Sequence, residues 1–71
     1  MNKRKHYHVY LCHNDEHGYR LVQRLWQGEA TLAKLLDDAK TFDFHEGEWL
    51  EFWNDGSLIR AVIGNANIGA R

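Results

Sequence analysis

Cys12 stands in the run "HYHVYLCHNDEH", among His6, His8, His13 and His17, four of the chain's five histidines. A thiol beside an imidazole can serve as a nucleophile and its base. Clustered His and Cys can also hold zinc, when four ligands converge from paired short spacings. Here "HYH" and "HNDEH" have no second cysteine pair to complete such a set. The histidines therefore read as surface residues, and no metal or cofactor is expected. A thiol in mid-strand is more often a small inert hydrophobe than a nucleophile. His45, followed by Glu46 and Glu48, has acid/base residue types but sits in a polar lead-in to a hairpin. No P-loop, dinucleotide fingerprint, HExxH or nucleophile elbow occurs. A chain of 71 residues also has little room for a water-excluding pocket. Catalysis is not expected.

The second constellation is aromatic. In "EWLEFWNDGSLIRAVI", residues 48–63, apolar and polar residues alternate on both sides of Asp55-Gly56. Asp-Gly as a two-residue loop favours a type I′ turn, the strongest short-range hairpin signal. A regular ladder from that turn sets Trp53 against Leu58, Phe52 against Ile59, Glu51 against Arg60, Leu50 against Ala61 and Trp49 against Val62. One face then carries Leu50, Phe52, Ile59, Ala61 and Ile63. The other carries Trp49, Trp53, Leu58 and Val62 around a Glu51–Arg60 pair. Two of the three tryptophans thus fall on the face that is not the evident core.

The elements that must position these groups follow from periodicity. "KHYHVYLCH" alternates, with Tyr7, Val9 and Leu11 on one side and His6, His8, Tyr10 and Cys12 on the other. "NDEHG" supplies turn chemistry, and "YRLVQRLW" returns as a second strand. Setting Leu11 opposite Leu21 and Tyr7 opposite Leu25 gives the more apolar inner face. In "GEATLAKLLDDAKTF", Leu32, Leu35, Leu36 and Ala39 recur at helical spacing. Glu29 suits the start of such a helix and Lys40 its end. The helix is short, so it must dock to persist.

The expected fold is one α+β domain over residues 1–71, β-β-α-β-β, with one helix covering one face of a four-stranded antiparallel sheet. Residues 1–5 read as a basic N-terminal tail and 64–71 as a flexible C-terminal tail. The helix stripe would pack on Tyr7, Val9, Leu11, Leu21, Leu25, Leu50, Phe52, Ile59, Ala61 and Ile63. The second face stays uncovered.

That face would present Tyr10, Trp26, Trp49 and Trp53 among Arg20, Arg24, Arg60, Glu51, His6 and His8. Two readings compete. The tryptophans can close over one another and over the arginine stems as a minor second core. Alternatively they form an exposed aromatic and arginine patch, the composition of interface hot spots. The same residue types could stack single-stranded bases, but no RNP-like motif is present and the net charge is −1.

Charge is segregated along the chain. Residues 1–28 carry five Lys/Arg against two acids, residues 29–55 two lysines against eight acids, and residues 56–71 two arginines. The acidic run includes Asp37, Asp38, Asp43, Glu46 and Glu48. It either keeps the chain soluble or imitates nucleic-acid phosphates toward a basic partner. A lone cysteine points to a reducing compartment. No apolar run has the length of a membrane span or signal peptide, so a cytoplasmic protein without membrane contact is expected.

In its size, its single helix between hairpins and its closing "GEWLEFWNDGSLIRAV" hairpin, the chain resembles the very small accessory proteins of phages and mobile elements, including anti-CRISPR inhibitors. The resemblance implies a non-enzymatic inhibitor in the host-cell cytoplasm. It would bind a larger protein or nucleoprotein complex and block access of nucleic acid. A small RNA- or single-stranded-DNA-binding module is the alternative, and a homodimer burying the open face is a third reading.

Overall fold

The computed structural model describes residues 3–63. The expected flexible tail, 64–71, lies outside the described residues. The alternating pattern of "KHYHVYLCHN" becomes β1 (Lys5–Asn14), followed by β2 (Arg20–Ala30), α1 (Leu32–Ala39), β3 (Trp49–Asn54) and β4 (Ser57–Ile63). The strands form one antiparallel sheet in the order β2-β1-β3-β4. This is the β-β-α-β-β, four-stranded arrangement with one helix that the patterning predicts. Lys5, assigned above to the basic tail, already pairs with Ala30.

Local chemistry explains the turns and caps. Asp15 Oδ1 accepts hydrogen bonds from the backbone N–H groups of His17 and Tyr19, both at 2.9 Å, which closes the first hairpin. Asp55 and Gly56 both have positive φ, 51° and 77°, as a type I′ turn requires. The helix is capped by Thr31, whose Oγ1 accepts from Lys34 N–H at 3.1 Å. Glu29, expected near the helix start, is instead part of β2, because the strand runs on to Ala30.

The helix stripe docks on only part of the surface expected for it, since Leu21, Leu25 and Ile59 stay exposed. Leu35 and Ala39 are buried, and Leu32 and Leu36 pack against the same cluster of Tyr7, Val9, Leu50 and Phe52. Phe42 and Phe44, in the loop after the helix, also pack there, their rings edge-to-face at 4.9 Å. They lie in an aperiodic stretch, so no spacing marked them as core.

Two β-bulges change the expected registers. In the first hairpin, Leu11 faces Gln23 rather than Leu21, and Tyr7 faces Gly28 rather than Leu25. Leu25 is skipped between the pairs Tyr10–Arg24 and Val9–Trp26. A skipped residue reverses the facing of everything beyond it, so Trp26 stands on the helix side with Val9. Its indole lies over Gly28, where a Cβ would come within 2.7 Å of Trp26 Cζ2. In the second hairpin, Trp53–Leu58 pairs as expected, but Ile59 is skipped. Phe52 then faces Arg60, Glu51 faces Ala61, Leu50 faces Val62 and Trp49 faces Ile63. Val62 therefore joins the core, whereas Ala61 and Ile63 pass to the open side.

Candidate functional site

The face turned away from α1 is organised around one carboxylate. Glu51, in the middle of β3, is only 6% exposed, and among the described residues it is the one charged side chain in the buried class. An isolated carboxylate at that depth is costly, so it must be paired and hydrogen-bonded. Strand geometry supplies the partners. Residues two apart share a face, so Trp49 and Trp53 flank Glu51. The Trp49 indole N–H donates to Oε2 at 2.8 Å and the Trp53 indole N–H to Oε1 at 3.0 Å. The Arg20 guanidinium completes the set with an ion pair to Oε1.

Arg20 reaches this point from the start of β2, diagonally across β1. On β1, Tyr10 is the residue opposite Glu51 and Cys12 the one opposite Trp49. Cys12 has no exposed surface. Burial, then the negative charge of Glu51, pushes its thiol pKa up, so the neutral thiol is the stable form. Burial by itself would raise the Glu51 carboxyl pKa. The hydrogen bonds from Trp49, Trp53 and Arg20 outweigh it and hold the carboxyl below its ordinary value. The Glu51 hydrogen bond in turn raises the Arg20 pKa. The cluster is an ionised carboxylate in a ring of donors, with a protonated thiol beside it.

The remaining expected residues divide between the faces. Arg24 lies opposite Tyr10 on the open side. Its guanidinium has no hydrogen bond or ion pair among the described residues. Two expected members leave this face. Arg60 is carried to the helix side by the Ile59 bulge, so the Glu51–Arg60 pair does not form, and Arg20 takes its place. Trp26 is carried to the helix side by the Leu25 bulge. The tryptophan pair therefore corresponds to neither reading in pure form. Both rings are half-buried through their grip on Glu51, yet no described element lies over them.

The acidic residues do not join this site. Asp37 and Asp38 are on α1, on the other side of the sheet, each beside a lysine: Lys34 Nζ to Asp38 Oδ1 is 3.0 Å and Lys40 Nζ to Asp37 Oδ1 is 3.7 Å. Asp43 and Glu46 are exposed in the following loop, and Glu48 accepts the His45 backbone N–H at 2.7 Å. The histidines are dispersed. His6 and His8 continue the open face beside Tyr10, with His8 stacked on the Tyr10 ring at 6.3 Å, while His13 lies opposite Leu21 and His17 is in the turn. Among the described residues no group of three His, Cys, Asp or Glu side chains is placed to share an ion.

Sequence reasoning placed Glu51, Trp49, Trp53, Arg20, Arg24 and Tyr10 on one face, where the structure has them, but did not single out Cys12 as part of the cluster. The signal was available: Cys12 shares the strand face of Tyr10 and His8. In comparisons with known proteins, no family model matches the chain, and no curated protein or solved structure does.

Proposed function

We propose that this chain is a non-enzymatic protein-binding module that docks through the open sheet face around Trp49, Glu51 and Trp53. Its concrete form is an inhibitor of the anti-CRISPR kind, acting in the host-cell cytoplasm on a larger protein or nucleoprotein complex and blocking access of nucleic acid. The observation that carries the reading is the double indole grip on Glu51. It fixes two large aromatic rings that keep part of their surface in water, so a partner can pack on them without first freezing their rotamers. The complete burial of Cys12 supports a binding role over a nucleophilic one. Direct nucleic-acid binding has less support. Arg20 is engaged by Glu51 and Arg60 faces the other way, which leaves Arg24 as the free arginine of this face among the described residues.

The test is a binding experiment on the intact chain from its native host background. Retention of one partner by the wild type, its loss with Trp49→Ala/Trp53→Ala, and its survival in Asp37→Lys/Asp38→Lys support the proposal. Equal retention by all three proteins overturns it. Binding to a single-stranded oligonucleotide that weakens steeply with salt overturns it in favour of the nucleic-acid reading.

A further inference from the structure

The two edges of the sheet are unlike. β2 is an edge strand of 11 residues with no proline, and every side chain from Arg20 to Gln27 is exposed. Leu21, Val22, Leu25 and Trp26 are each about two-fifths exposed along it. Leu25 and Trp26 also wall a groove of about 470 Å³ against Leu35 and Phe52. A long unpaired edge of this kind is a template for another strand. The other edge, β4, carries Arg60 as its one charge and no acid to meet it.

On β2 the charges match. Among the described residues neither the Arg24 guanidinium nor the Glu29 carboxylate forms an ion pair, and both lie on the open face, one on each side of the Leu25 bulge. The bulge also selects a register. β1 pairs with β2 by skipping Leu25. A strand that repeats this skip from the outer edge can be another β2, run antiparallel about a two-fold axis at Trp26. Gln27 then meets Arg24, Gly28 meets Gln23, Glu29 meets Val22 and Ala30 meets Leu21 of the second copy. Every such pair joins residues of the same face, as the pleat demands. Glu29 falls between Arg20 and Arg24 of the other copy, at the diagonal spacing of about 7–8 Å that long side chains span.

We infer that a second copy of this chain pairs along β2, giving a continuous eight-stranded sheet with Trp26 against Trp26 at its centre. Both helices lie on one side of that sheet. The other side presents two Trp49–Glu51–Trp53 clusters, which the pairing leaves uncovered. The contact is isologous and closes on itself, so assembly stops at two.

Sedimentation of the unaltered chain from micromolar to millimolar concentration tests this. The expected mass rises from 8.4 kDa to twice that value and no further. Glu29→Lys, at an exposed site, raises the dimer dissociation constant about tenfold, because two attractive contacts become repulsive. Oxidising a mixture of Arg24→Cys and Gln27→Cys chains links them, whereas Val22→Cys alone does not, since its two copies lie too far apart for a disulfide. A mass fixed at 8.4 kDa throughout, growth beyond two chains, or linkage by Val22→Cys alone overturns the inference.

Discussion

The two faces of the sheet bury their centres by different physics. On the helix side, Phe52 and Leu50 are covered by Leu35, Ala39 and the two loop phenylalanines, and the stabilisation comes from apolar area removed from water. On the open side no helix lies among the described residues, and two residues of the same strand cover a carboxylate instead. There the stabilisation is directional, since each indole N–H and the guanidinium must point at one of two oxygens. In so small a sheet a polar cluster orders large side chains with no described element lying over them. Both tryptophans keep part of their surface in water.

Substitutions on the two faces should differ in size and in their dependence on pH. The largest loss is expected from Phe52→Ala, about 3–5 kcal/mol of unfolding free energy, because its site is closed on all sides. Leu35→Ala should cost about 2–5 kcal/mol, and Leu36→Ala less, since Leu36 keeps part of its surface in water. Denaturant titration of the variants gives these values, and a near-neutral Leu35→Ala would remove the helix from the core.

Glu51→Gln is expected to cost about 1–3 kcal/mol, because an amide nitrogen would face donors where a carboxylate oxygen now accepts. Its signature is the dependence on pH. The carboxyl pKa is lowered on folding, so its stabilisation is present above the ordinary carboxylate value of about 4.3 and is lost as pH falls through the lower folded value. The gap between wild type and Glu51→Gln should therefore be full near neutrality and close in acid. A gap that stays constant would mean that the charge contributes nothing.

Arg60→Ala should be the smallest effect, within about 0.5 kcal/mol, because Arg60 is exposed and pairs with no carboxylate among the described residues. A regular second hairpin would have made Arg60 the partner of Glu51. Comparable losses in Arg60→Ala and Arg20→Ala would thus contradict the bulge at Ile59.

Much of the site was legible from spacing alone. Trp49, Glu51 and Trp53 share a face because they are two apart on a strand, whatever that strand pairs with. Arg20, Arg24 and Tyr10 were placed correctly although the register was off, because a shift of two residues preserves facing. Trp26 and Arg60 were misplaced for one reason: each lies just beyond a skipped residue. Nothing in "RLWQGEA" or "SLIRAVI" distinguishes a bulged strand from a regular one. The partner strand and the packing of Trp26 over Gly28 decide it.

The order of elements, the Asp55-Gly56 turn and the stripe that docks the helix are written in local sequence, since each rests on interactions between residues close along the chain. Local sequence also determined that Glu51 would stand between two tryptophans. The tertiary structure alone decided which arginine answers that carboxylate, because Arg20 and Glu51 meet only when β1 lies between β2 and β3. It also decided which side chains reach water, because one unpaired residue inverts every facing beyond it.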